Sequence, residues 1–131
     1  MVSAYSISLS GLYAANQRLN VAADNIANQH SIYTKQNGQL IDEPYHAKVA
    51  SSISQGLGGV IVNVHDANPP TTVTFDPGAA NADANGQSRV PNVDVAEQLV
   101  NQQVASYDYK ANLKAIQIQN NIFDSLLDIK A

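Results

Sequence analysis

Three histidines, His30, His46 and His65, have the widest chemical range of any residues in this chain, since an imidazole can ligate zinc or pass a proton near neutral pH. They stand 16 and 19 positions apart, whereas ligands that converge on one helix face recur every three or four residues. His30 and His65 fall in predicted turns, so all three read as ordinary solvated side chains, and a hydrolase using metal on His46 and His65 is the remotest function weighed. Two acidic pairs could do acid–base work. Asp42-Glu43 sits beside Pro44 in a predicted loop, and Asp94 with Glu97 has the form of a helix capping box. Gly56, Gly58 and Gly59 are close enough for a phosphate loop, but no Lys, Ser or Thr follows at the required offset, and a hairpin turn accounts for them. No Gly-x-Ser-x-Gly, P-loop, dinucleotide fingerprint or His-Glu-x-x-His is present. The chain therefore reads as a non-enzyme, with no catalytic residue, no metal and no cofactor.

Composition narrows the remaining classes. Of 131 residues, 14% are charged, against roughly 25% in an ordinary soluble domain, and the polarity is made up by 14 Asn and 11 Gln. A net charge of -4 argues against a grip on nucleic acid or on an anionic membrane surface. The absence of Cys excludes disulfide scaffolds and thiol chemistry. No stretch approaches the ~20 apolar residues of a membrane span, and the first residues lack the basic and apolar regions of a cleaved signal peptide.

The elements that must position any site are two amphipathic helices flanking a β region. Residues 1–28 read as an N-terminal helix, with Leu12, Ala15, Leu19, Ala22 and Ile26 on one stripe and Asn16, Gln17, Asn20 and Asp24 opposite. Residues 92–131 read as a longer helix, capped by Asp94 with Glu97, or alternatively by Asn92. Its stripe runs Val95, Leu99, Gln102, Ser106, Tyr109, Leu113, Ile116, Asn120, Phe123 and Leu127, alternating four and three. At 1.5 Å per residue the helices span roughly 40 and roughly 55 Å. An antiparallel pair then leaves an overhang bearing Ile122, Phe123, Leu126, Leu127 and Ile129.

Residues 29–91 carry strand and turn signals. Asn37-Gly38 marks a turn, Tyr45 to Ile53 alternates imperfectly, Val60 to Val64 and Thr72 to Phe75 read as strands, and residues 79–88 read as a loop. The expected fold class is α+β, in one domain. Long terminal helices pack as a coiled-coil-like hairpin, and a small antiparallel element of about three strands is inserted between them. The helical stripes mix apolar with small and polar residues (Ala15, Ala22, Gln102, Ser106, Asn120), which weakens a two-helix pair but fixes register in a larger assembly. The stripes are therefore read as association surfaces.

A series of segments then resembles one family in order and spacing. Leu9-Ser10-Gly11-Leu12 and Arg18-Leu19-Asn20-Val21-Ala22-Ala23-Asp24-Asn25-Ile26-Ala27-Asn28 resemble the N-terminal motif of bacterial flagellar axial proteins. Asp42 to Lys48, Gly58-Gly59-Val60, Asp76-Pro77-Gly78 with Ala82 to Gly86, Pro91-Asn92-Val93-Asp94-Val95, and Ala105 with Tyr107 to Asn112 are similar to basal-body rod proteins of the proximal type. The chain lacks the Thr-Pro-Gly-Tyr turn of many hook and distal-rod relatives, and its ending Leu126 to Ala131 differs from the Gly-Gln ending of many members.

The resemblance implies a structural subunit of the periplasmic rod, exported unfolded by the flagellar type III apparatus without a cleaved signal peptide. It implies helical assembly with copies of itself and other rod proteins on the motor-ring base, the terminal helices forming the inner tube and transmitting torque to the hook. It implies neither nucleic-acid binding nor membrane insertion. The competing readings are a self-contained helical-hairpin adaptor module and a rod subunit of a different tier.

Overall fold

A computed structural model describes residues 4–32, 35–36, 39–40, 45–56 and 58–130. Helix α1 is Ala4–Asn28 and helix α2 is Val95–Lys130. Between them lie strands β1 (Lys35–Gln36), β2 (Gln39–Leu40), β3 (Lys48–Ser54), β4 (Val60–Asp66), β5 (Thr71–Phe75) and β6 (Gln87–Pro91). The class is α+β, as the sequence predicts. The β region departs from the expected three strands: among the described residues it holds three separate two-stranded sheets, β1-β2, β3-β4 and β5-β6. Strand β6 falls where a loop and an unassigned stretch were expected. Its five residues carry no alternating apolar pattern, and it exists because it pairs residue for residue with β5, from Thr71 opposite Pro91 to Phe75 opposite Gln87. The Asn37-Gly38 turn and Asp42 to Pro44 lie outside the described residues.

The chain forms two compact units: Met1–Asn20 with Ala50–Asn63 and Val100–Ala131, and Val21–Val49 with Val64–Leu99. In the first, the helices run antiparallel, with Gly11 opposite Asn112 and Arg18 Nη1 donating to Asp108 Oδ2 at 2.7 Å. The buried apolar residues here are Ala14, Ala15 and Ala105. Small side chains let helix backbones approach closely, and Gly11 completes the fit because a Cβ there would collide with the Asn112 side chain. The β3–β4 turn closes with Gln55 N–H donating to the Gly59 carbonyl at 3.1 Å, and Gly58 and Gly59 take φ of 94° and 97°. This turn is fastened to α1 by Ser10, whose hydroxyl donates to the Ile7 carbonyl at 2.7 Å and accepts from Val60 N–H at 3.1 Å. A Cβ on Gly59 would stand 2.7 Å from Ser10 Oγ. The Leu9-Ser10-Gly11 and Gly58-Gly59-Val60 motifs are thus the two halves of one contact.

The second unit is organised around Asn25, a helix residue only 1% exposed. Its Nδ2 donates to the Lys48 carbonyl at 2.8 Å and to Gln98 Oε1 at 3.0 Å. Its Oδ1 accepts from Lys48 N–H and from the Tyr45 hydroxyl, both at 2.9 Å. The amide therefore pairs with both backbone groups of Lys48 as a neighbouring strand would. Burial pushes the Tyr45 phenol above its ordinary value of 10.0, and the carboxylates of Asp24 and Asp66 add to the shift, so Tyr45 stays a neutral donor.

The end of α2 in this unit is set by Asp94, whose Oδ1 accepts from Ala96 N–H at 2.9 Å and Glu97 N–H at 3.2 Å. Asn92, the alternative cap, does something else. Its side chain donates to the Pro69 carbonyl at 3.0 Å and its N–H to the Pro70 carbonyl at 3.0 Å. Asn81 and Ser88 are buried and bonded to each other at 2.7 Å, holding the loop before β6 against the strand.

Gly59→Ala must place a side chain at positive φ against Ser10, and should lower the stability to urea by about 1–3 kcal/mol. Gly56→Ala, with open space around it and no positive φ, should leave the midpoint within about 0.5 kcal/mol. Equal midpoints for the two variants would show that the turn is not fastened to α1. Asn25→Ala strands the Tyr45 hydroxyl and the Lys48 backbone groups and should cost roughly 2–4 kcal/mol. The folded chain holds the Tyr45 proton more tightly than the unfolded chain does. That stabilisation is fully present below pH 10.0 and is lost as pH rises through the higher folded value. Urea midpoints measured into the alkaline range should fall for the wild type and lose this component in Tyr45→Phe.

Candidate functional site

Among the described residues, no group of three or more His, Cys, Asp or Glu could hold a metal ion, and no helix is long and apolar enough to cross a membrane. His46 meets Asp66 rather than His65, with Nδ1 2.8 Å from Asp66 Oδ2. His65 is the preceding residue on β4, and successive strand residues point to opposite faces. His46 and Asp66 lie beside the backbone link between Ala67 N–H and the Ala47 carbonyl, at 2.7 Å. The pair ties the segment before β3 to the last residue of β4. His30 is exposed.

The distinctive surface is instead on the helices. On α1, Ala15 and Ala22 are buried and Leu12, Leu19 and Ile26 half-buried, so this stripe faces inward. Asn16, Gln17, Asn20 and Asp24 are all exposed. On α2, Val95, Gln102, Ser106 and Ile116 are half-buried. Leu99, Tyr109, Leu113, Asn120, Phe123 and Leu127 are exposed, Leu113 at 39%, Phe123 at 54% and Leu127 at 67%. Of the apolar members of the α2 stripe, Leu99, Tyr109, Leu113, Phe123 and Leu127 are therefore exposed in the single chain, while Val95 and Ile116 turn partly inward.

The inward line of α2 is rotated by about one residue. It runs through Gln98, Asn101, Ala105, Asp108, Asn112, Ile116 and Gln119, again at spacings of three and four. Ala105 is wholly buried, Asp108 meets Arg18, and Asn112 lies on Gly11 while donating to the Asp108 carbonyl at 2.8 Å. The rotation has a steric cause. Leu or Tyr facing Gly11 and Ala15 would hold the helices apart, whereas Ala105 and the flat amide of Asn112 fit the narrow gap. A second consequence is an uncovered apolar surface on α2, which includes Val100, Val104, Tyr107, Ile118, Ile122, Leu126 and Ile129.

Periodicity alone does not select Asn25, Gln98, Ala105, Asp108 or Asn112, because a hydrophobic stripe is drawn through the largest apolar residues. A signal for Asn25 was available. It continues the line Ala15, Arg18, Ala22 at spacings of three, four and three, and a polar residue on a buried line must have partners.

Comparison with known proteins gives the same reading from another direction. Residues 84–129, which hold most of α2, match the family described as flagellar basal body rod FlgEFG protein, C-terminal. The chain is 38% identical over 122 residues to the flagellar basal-body rod protein FlgC of Salmonella typhimurium, covering 88% of this chain and 87% of that protein. It is 40% identical to FlgC of Yersinia enterocolitica over the same shares, and 33% identical to FlgC of Aquifex aeolicus over 93% of this chain and 91% of that protein. With likeness of this level running through both helices and the β region between them, the chain belongs to the FlgC family of flagellar basal-body rod proteins.

Proposed function

We propose that this chain is a structural, non-enzymatic subunit of the proximal rod, assembling through its terminal helices. The observation that carries the reading is the division of labour on α2. One line of small and amide residues satisfies α1 of the same chain, and the large apolar line with the last turns of the helix has no cover within it. Contacts between unlike faces of successive copies build an open helical tube where the rotation between copies does not close into a ring. Leu99, Tyr109, Leu113, Phe123 and Leu127 supply the apolar area for neighbours, while Gln102, Ser106 and Asn120 select the register. Its neighbours are further copies and other rod proteins. In this reading the motor-ring base seats the first tier, the type III apparatus delivers the chain to the periplasmic rod without a cleaved signal peptide, and the stacked helices carry torque towards the hook.

Leu113 offers the sharpest test because it is exposed in the single chain. Leu113→Asp should shift the urea midpoint by less than about 1 kcal/mol. It should still abolish incorporation into basal bodies and swimming, while the chain continues to be exported. Truncation after Asn121, which removes Ile122, Phe123, Leu126, Leu127 and Ile129, should likewise block incorporation. Normal swimming and normal rods in Leu113→Asp would refute the assignment of this face.

A further inference from the structure

The loop between β5 and β6 contains an Asn-Gly dipeptide whose chemistry the assembly role does not use. In such a pair the backbone N of the glycine, on losing its proton, can attack the side-chain Cγ of the asparagine, because no side chain on the glycine blocks the approach. The new N–Cγ bond closes a succinimide, the Cγ–Nδ2 bond breaks, and Nδ2 leaves with the proton as ammonia. Solvent water then opens the ring. Opening at Cγ gives aspartate, and opening at the α-carbonyl gives isoaspartate, whose extra methylene lies in the main chain.

Asn85-Gly86 meets the first requirement, since Asn85 is exposed. The nucleophile, however, is tied down. Gly86 N–H donates to the Asp83 carbonyl at 3.1 Å. Asp83 Oδ1 accepts from both Asn85 N–H and Gln87 N–H at 2.8 Å, fixing the backbone on either side. Asp83 N–H donates to the Gln87 carbonyl at 2.8 Å, and Gly86 sits at φ 75° with Phe75 and Pro77 against its Cα. The carboxylate beside the turn also opposes the deprotonation that makes the glycine nitrogen reactive.

We propose that Asn85-Gly86 is a spontaneous succinimide-forming site, which the Asp83 turn holds shut in the folded chain and which opens whenever the β5–β6 hairpin unfolds. An isoaspartyl unit lengthens the turn by one main-chain atom beside a glycine wedged between Phe75 and Pro77, and a new carboxylate stands two residues from Asp83, so the hairpin that protected the site is lost.

The full-length chain incubated at mildly alkaline pH, in buffer and in denaturing urea, tests this by peptide mapping of aspartate plus isoaspartate at position 85. The same digest reads the chemically identical pair Asn37-Gly38. In urea the two asparagines should convert at similar rates, and in buffer conversion at Asn85 should fall by roughly tenfold or more. Asp83→Ala should restore fast conversion in buffer, whereas Asp83→Asn, which keeps an Oδ1 acceptor, should stay near the wild-type rate. Equal conversion of wild-type Asn85 in buffer and in urea would overturn the proposal, and that comparison holds even if Asp83→Ala fails to fold.

Discussion

One buried amide governs much of this fold. Asn25 uses both donors and both acceptor positions of its side chain, and all four hydrogen bonds end on different parts of the chain's second unit: Tyr45, both backbone groups of Lys48, and Gln98. A buried polar group left unpaired costs more than a paired one contributes, so the four bonds stand or fall together. Their geometry admits one placement of α1, β3 and the start of α2. An apolar residue at position 25 could pack there, but it would tolerate sliding of β3 along the helix, whereas an amide that imitates a peptide unit does not. Uncharged Asn also avoids the desolvation that Asp or Lys would face in the same place.

The same preference for fit over apolar mass runs through the other unit. Gly11 under Asn112, Ala14, Ala15 and Ala105 in the gap, and Gly59 against Ser10 are contacts in which something small is required. Cores of this kind bury little apolar area per residue, so hydrophobic burial contributes less to them than to a Leu-rich bundle. They contribute shape instead. Each close approach works at one register, because shifting α2 by a residue would put Ala111 or Leu113 where Asn112 now lies over Gly11.

How much of this could be read from the sequence depends on which residues state their own role. The helices could be read because Ala15, Leu19, Ala22 and the Leu99 to Leu127 series repeat with helical spacing, and Asp94 could be read as a cap because an acceptor there has few other uses. Strand β6 could not, since Gln87-Ser88-Arg89-Val90-Pro91 has no pattern of its own and takes its conformation from β5. Asn92 was ambiguous for a related reason: a capping side chain and one that binds a proline carbonyl are the same residue until Pro69 is placed beside it. For α2, the apolar face was legible and the line that packs on α1 was not. Drawing the α2 stripe through its large side chains found the apolar face, but the chain packs α1 against the neighbouring line of Ala105 and Asn112.

That displacement by one residue gives the helix two kinds of seam. A helix has room for about three and a half residues per turn, and two seams set one residue apart occupy adjacent thirds of its circumference. If the large residues lay on the inward line, the single chain would be more stable and would have little left to offer a neighbour. With amides and alanines inward, the fold of the subunit is fixed by hydrogen bonds and close contact, and much of the hydrophobic area of α2 stays exposed. The usual rule of apolar inside and polar outside is therefore met only in part by the single chain. In the assembly proposed above, that exposed area is what neighbouring subunits would cover, while hydrogen bonds and close contacts set the fold of the single chain.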